Sequence, residues 1–379
     1  MKLFKKIKDI TILGSGDILG SGLSAIFWFY LASQIEPENY GEIHWFLGIA
    51  GIFSAISLFS TVNTITVYTA KKIQINSTLN LISLLSSVLF SFIVIAIFPS
   101  FYSIDIGIIL IAYVINHLAI GDLLGKKEFS SHSKYTLVQK GSTLALGVLL
   151  FHIFGYEAII FALACSYIFY IKRIYSVFKE MKINFNLVKQ RKGFIINNYF
   201  TFLLTGAVGS GQIDKIIVAP LLGFAILGNY NLALQIINLM MIIPTIFYKY
   251  LLPHESTGIK NKQIKIIVIV FSILISILGI FIAPILIEEF FPKFSDAINA
   301  IKIMSIVIIP STLSLILESE FLGKEKSRIV IIGSSIFVSS QVISMIILGS
   351  LYGIDGVAYS LIIATTLKMS LYLFYRNKQ

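Results

Sequence analysis

The sequence predicts an all-α integral membrane protein with twelve transmembrane helices in two six-helix halves, and three observations carry that expectation. Of 379 residues, 56% are apolar and 13% charged, with a mean hydropathy of +0.88, far too little charge to cover a water-soluble surface of this size. Apolar runs of about twenty residues, the length a helix needs to cross a bilayer, recur from end to end. The basic residues fall on alternate connections between those runs, as the positive-inside rule requires.

Windows of about nineteen residues place helices near 11–33, 43–66, 79–100, 103–124, 134–154, 157–174, 195–222, 226–251, 264–287, 297–321, 329–351 and 355–375. The first follows the basic segment MKLFKKIKD. It is as long as the later runs and has no small-residue cleavage pattern, so it reads as a retained helix and not a signal peptide. The remaining assignments are tested by charge. One side collects Lys2 to Lys8, Lys71 and Lys72, Lys126 to Lys134, the cluster from Lys172 to Lys192, Lys260 to Lys265, Lys324 to Arg328, and Arg376 with Lys378, which is 24 of the 30 Lys and Arg. The opposite loops hold Lys293 among acids such as Glu36, Glu38, Asp105, Glu288 and Asp355. A missed or invented span would scramble the second half of this alternation. It places both termini and the basic loops in the cytoplasm of a multi-pass cell (inner) membrane protein.

Several function classes are excluded at this level. The net charge of +11 is spread between apolar runs, so no nucleic-acid surface is expected. A lone cysteine, Cys165, inside an apolar segment reads as a core thiol and leaves no disulfide framework or zinc site. His44, His117, His132, His152 and His254 lack ligand spacing. No P-loop or Ser-His-Asp constellation is legible, so neither an enzyme nor a cofactor is expected.

The longest cytoplasmic connector suggests an N-terminal six-helix lobe over 1–174, a basic linker over 175–194 and a C-terminal lobe over 195–379. The halves show weak internal similarity. GDLLGKKEFS at 121–130 and SEFLGKEKSR at 319–328 align at an offset of 198, matching Asp122 with Glu320 and Gly125 with Gly323. A second alignment, at 187, matches Ala32 with Ala219 and Gly41 with Gly228. Two six-span halves that both start inside would be parallel repeats.

The segment YLASQIEPENYGEIHWFLGIAGIF at 30–53 resembles the opening signature of polysaccharide (O-antigen and capsule) flippases, a Leu-Ala pair followed by Pro-Glu-x-Tyr-Gly. QIDKIIVAPLLGFAILGNYNLALQIINLMMIIP at 212–244 is similar to that family's seventh and eighth helices, through Asp214, Leu222, Gly223, Gly228, Tyr230 and Ala233, and 291–310 is similar to its loop and tenth helix. The family belongs to the multidrug/oligosaccharidyl-lipid/polysaccharide (MOP) exporter superfamily. The resemblance implies a V-shaped, MATE-like transporter that carries a lipid-linked oligosaccharide to the outer leaflet by alternating access, for surface polysaccharide or lipopolysaccharide synthesis. Membrane lipids, H+ or Na+ and a polysaccharide polymerase are the implied partners. The chain ends just after the twelfth span, which sets the expectation away from the lipid II flippases with their two further helices. A cation-coupled drug exporter of the MATE type is the alternative.

Charges inside spans are costly and mark candidate sites. Asp17, in GSGDILGSG on the first helix, and Asp214, on the seventh, are candidate ion-coupling or cavity acids. A lipid pyrophosphate calls for cations along its path, and Lys215, Lys368, Lys302 and Lys140 supply them; Lys140, Lys302 and Lys249 also suit snorkelling to a headgroup region. Asn63, Asn116, His117, Gln212, Asn231, Gln235, Asn238, Gln341, Trp28 and Tyr30 are candidate sugar contacts or interhelical hydrogen-bond partners.

Overall fold

A computed structural model describes residues 2–70, 72–98, 102–180, 182–203, 212–256, 262–323 and 326–378; within these, the side chains of 2–14, 17, 63, 70, 201, 249–250, 252–256, 322–323 and 327 fall outside the description. All regular structure among the described residues is helical. In chain order the helices are α1 (Lys2–Gln34), α2 (Pro37–Ser57), α3 (Val62–Ala70), α4 (Asn76–Ile97), α5 (Ser103–Gly125), α6 (Phe129–Phe154), α7 (Ile159–Ser166), α8 (Ile171–Glu180), α9 (Phe185–Phe202), α10 (Ile213–Leu222), α11 (Phe224–Met240), α12 (Ile242–Ser256), α13 (Lys262–Phe290), α14 (Ala297–Ile306), α15 (Ile308–Gly323) and α16 (Ser327–Asn377). Seven helical stretches among the described residues are long and apolar enough to cross a bilayer, and the pair α11–α12, bent by 47°, makes an eighth. The protein is a multi-pass membrane protein.

The described residues of the twelve expected spans fall largely on helix, the seventh being described over 195–203 and 212–222, and several spans are broken. The second is interrupted between α2 and α3 at Leu58–Thr61. Irregular backbone inside a bilayer needs internal partners, and the local sequence provides them as hydroxyls. The Ser60 amide donates to Ser83 Oγ at 3.3 Å, and Thr61 Oγ1 caps α3 by accepting from the Thr64 amide at 3.2 Å. The eleventh and twelfth spans are the two parts of α16, separated at Gly353, whose φ of +60° suits a residue without a side chain. Beyond it Gly356 packs directly against the Leu348 carbonyl, which returns the second part alongside the first.

The chain forms two compact units, Met1–Trp28 with Phe46–Ala207, and Phe29–Trp45 with Val208–Gln379. In the first, α8 and α9, which include the segment 175–194, are tied down rather than loose. Ser77 Oγ donates to the Val177 carbonyl at 3.0 Å, the Asn184 amide to Thr78 Oγ1 at 2.7 Å and Tyr199 Oη to the Ile56 carbonyl at 2.8 Å. Asp122, fully buried at the end of α5, receives Arg173 of α8 at 2.7 Å and Asn76 of α4 at 3.4 Å; Arg173 also reaches Glu128 at 3.1 Å.

The second unit repeats this arrangement. Glu320, near the end of α15, receives Lys265 at the start of α13 at 2.6 Å and Arg376 at the end of α16 at 3.3 Å. Asp122 and Glu320 are the two acids matched at offset 198, so each unit ties its fourth span to its third and sixth through one carboxylate. Lys324, expected beside Glu320, lies outside the described residues.

The same unit contains a crossing of helix starts. The first turn of α2, Pro37–Gly41, lies on the first turn of α11, Phe224–Gly228: a Cβ on Gly41 would run into the Phe224 carbonyl oxygen, and one on Gly228 into that of Pro37. One glycine on each helix lets the backbones approach this closely. Tyr40, fully buried beside Gly41, packs edge-on against His44 (4.6 Å between centroids) and Phe294 (5.6 Å).

Gly41→Ala and Gly228→Ala should each destabilise the protein by about 1–3 kcal/mol through overpacking. Thermal unfolding in detergent checks this against Gly22→Ala and Gly141→Ala, where a Cβ meets open space and the transition should stay put or rise.

Candidate functional site

Of the six charged site residues expected from sequence, four lie in the second unit. Asp214 and Lys215 occupy the first turn of α10, a ten-residue helix that ends at Gly223 with φ +92°. That turn lies against α11 at Tyr230, two residues beyond Gly228 of the glycine crossing. Asp214 is buried, and its carboxylate accepts from Tyr230 Oη of α11 at 2.9 Å.

Lys215 does not pair with Asp214. Adjacent residues on a helix diverge by about 100°, and the Lys215 ammonium instead donates to the neutral Gln212 Oε1 at 3.4 Å. It is half-buried, and close enough to the buried His44 of α2 for that imidazole to feel its charge. The turn therefore presents an acid hydrogen-bonded to a phenol on one side and a cation hydrogen-bonded to an amide on the other.

Lys368 and Lys302 are separate from this turn. Lys368, in the second part of α16, pairs with Glu318 of α15 at 3.0 Å, and its ammonium lies 5.5 Å from the centre of the Tyr372 ring. Lys302 is exposed on α14. Lys140 is half-buried on α6 in the first unit, facing Gly20 of α1, whose Cβ would lie 3.6 Å from Lys140 Cγ. Asp17 lies on α1, with its side chain outside the described residues, as are those of Asn63 and Lys249.

The neutral polar candidates divide. Asn231 is turned back on its own helix, its amide donating to the Leu227 carbonyl at 2.8 Å. His117 stands edge-on to Phe202 at 5.9 Å, with Nδ1 buried and unpartnered. Two residues near the first turn of α10 were not singled out from sequence as parts of a site. Tyr230 entered only as a motif residue, and His44 only as one of five scattered histidines. The offset of 187 offered a signal for His44, since it sets His44 opposite Asn231 in the second half.

Among the described residues no group of three or more His, Cys, Asp or Glu side chains is placed to hold a metal. The arrangement is one for binding charge within a membrane span.

No family profile and no curated protein sequence matches this chain. Solved structures do. An inward-facing multidrug resistance MATE family transporter of the MOP superfamily superposes with a TM-score of 0.74 at 14% identity, covering 95% of this chain and 94% of that one. The lipid II flippase MurJ, in an inward closed conformation, gives 0.70 at 15% identity over 97% and 87%. A MOP superfamily transporter from Pyrococcus furiosus, described as having a binding pocket of reversed polarity, gives 0.61 at 13% over 98% and 93%. The chain has the fold of the MOP superfamily transporters.

Replacing Tyr230 by Phe strands a buried carboxylate, and the loss of its donor should lower stability by about 1–3 kcal/mol. Thermal unfolding of Tyr230→Phe, Asp214→Asn and the double variant checks this. The double variant should recover part of the Tyr230→Phe loss, because an amide in that site is cheaper to leave unpaired than a charge.

Proposed function

We propose that this protein is a flippase that moves a lipid-linked oligosaccharide, an oligosaccharide on a polyprenyl pyrophosphate, from the cytoplasmic to the outer leaflet. The product would feed surface polysaccharide synthesis, such as that of O-antigen, with a polysaccharide polymerase as downstream partner. One observation carries the reading. In the spans of the second unit the described carboxylates Asp214, Glu318 and Glu320 are each committed to a donor, whereas the hydrogen bond of Lys215 among the described residues goes to the neutral Gln212. Such a site attracts an anion. A cationic drug would need carboxylates with no lysine among them.

The solved relatives fit either branch of the superfamily by fold, since one is a multidrug transporter and another a lipid II flippase. The Pyrococcus furiosus transporter is described as having reversed pocket polarity suggestive of a different function, so the fold is compatible with either sign of charge. The drive would be a proton or sodium gradient acting through Asp214 or Asp17, or substrate supply alone. With no nucleotide-binding motif in the sequence, ATP has no place in the scheme.

The test is leaflet exchange of a fluorescent polyprenyl-pyrophosphate oligosaccharide in proteoliposomes, with and without a proton or sodium gradient. Wild type should exchange the lipid, and Lys215→Ala, folded by thermal unfolding, should slow exchange by about tenfold, the equivalent of one lost charge-assisted contact. Asp214→Asn should remove the gradient dependence and leave ungraded exchange. Absence of exchange together with gradient-driven export of cationic dyes would move the protein to the drug-exporter branch.

A further inference from the structure

The ion pair between Glu318 and Lys368 is not required by the packing around it. At the offset of 198 that matches Asp122 with Glu320, the first-unit counterparts of Glu318 and Lys368 are Ile120 and Tyr170. Those two belong to one apolar cluster, with Ile120 packed against a core that contains the buried Tyr170. The first unit thus joins its fourth and sixth spans at this level by apolar contact. The second unit uses a lysine and a glutamate, although Glu320 with Lys265 and Arg376 already supplies the ionic tie between the same elements. A buried ion pair is commonly replaceable by apolar residues of similar volume without loss of stability, and the protein carries that replacement in its other half.

The pair is also built to open. Each partner is about one-fifth exposed, at 19% and 18%, and the pair is a single contact of 3.0 Å. Lysine presents a point charge rather than the fork with which arginine grips a carboxylate. The Lys368 ammonium keeps a second support when the carboxylate leaves, because it lies 5.5 Å from the centre of the Tyr372 ring. That ring is fixed: its hydroxyl donates to the Val330 carbonyl at 3.2 Å, it packs edge-on against Phe321 at 5.5 Å, and it closes directly over Gly333.

We infer that Glu318 is a built-in stand-in for the anionic headgroup of the substrate: it occupies Lys368 in the empty protein and is displaced when a lipid pyrophosphate binds that lysine. This rests on the reading of the protein as a lipid pyrophosphate flippase and adds to it a second cation, distinct from Lys215, with its own competitor. Competition of this kind keeps the site neutral while it is empty, and the returning carboxylate helps the headgroup leave.

The experiment uses the full chain in detergent micelles and reads binding of a fluorescent farnesyl pyrophosphate, with the matching farnesol as neutral control and inorganic pyrophosphate as competitor. Glu318→Gln should bind the pyrophosphate lipid about tenfold more tightly than wild type, and Lys368→Gln about tenfold more weakly. The variant Glu318→Ile with Lys368→Tyr, which imports the first unit's solution, should unfold at the wild-type temperature and bind as weakly as Lys368→Gln. Displacement of the probe by inorganic pyrophosphate, with no gain in farnesol binding, assigns the effect to the anion. Unchanged affinity in folded Glu318→Gln overturns the inference, as does wild-type affinity in the Ile and Tyr variant, which decides the matter if Glu318→Gln does not fold. Leaflet exchange by wild type with unchanged affinity in Glu318→Gln overturns this inference alone, whereas absence of exchange overturns the flippase reading beneath it.

Discussion

The contact on which the second unit depends is the crossing of two helix starts at Gly41 and Gly228. Neither position has room for one carbon atom, because each faces a backbone carbonyl of the other helix, from Phe224 and Pro37. The two contacts are reciprocal, and Pro37 stands to Phe224 as Gly41 stands to Gly228, 187 residues apart. Two copies of one turn therefore meet face to face. The chain leaves the first unit at Phe29 and returns to it at Phe46, and this contact holds the excursion in place. It also sets the site: with the backbone of α11 fixed against α2, Tyr230 is aimed at Asp214 and His44 comes within the field of Lys215.

A second constraint is the satisfaction of polar groups where water is excluded. The chain meets it in two ways, according to whether the group is backbone or charge. The break between α2 and α3 is served by hydroxyls, with Ser60 paired to Ser83 and Thr61 capping Thr64. Further along α4, Ser83, Ser87 and Ser91 are buried on one face, with Ser91 filling the space beside Gly107. Small hydroxyl residues suit this role because they satisfy backbone groups without holding helices apart. The charges are gathered at Asp122 and Glu320, each of which ties three helices of its own unit.

Much of the fold was legible from hydropathy and the alternation of basic residues, because in a bilayer both record which segments are inside lipid and which are not. The breaks were less legible. Periodicity registers apolar length, and the interruption at Leu58–Thr61 leaves that length intact, as does the bend between α11 and α12. The span containing Asp214 and Lys215 was visible as a charged interruption, and their divergence followed from helix geometry. Which partner each takes was not visible, since the bond from Tyr230 to Asp214 depends on how α10 and α11 pack. Sequence marked Gly41 and Gly228 as equivalent positions in a repeat; that equivalent positions touch one another is a property of the folded chain. The basic segment 175–194 reads as a linker because it is the longest cytoplasmic connector; that Ser77 and Thr78 bind it through backbone atoms of Val177 and Asn184 carries no sequence signature.

The way the charges are distributed bears on the proposed function. A membrane protein that needed its acids only for architecture could neutralise each one, and Asp122 and Glu320 are treated in that way, with an arginine and at least one further donor apiece. Lys215 and Lys368 are handled differently: one is given a neutral amide, the other a single carboxylate over an aromatic ring. Arginine holds a carboxylate in a fixed fork, whereas lysine exchanges partners more readily. A path for a pyrophosphate headgroup must bind strongly enough to admit it and weakly enough to let it go. Under the proposed reading, acids held by two or more donors and lysines left with one exchangeable partner each suit that requirement.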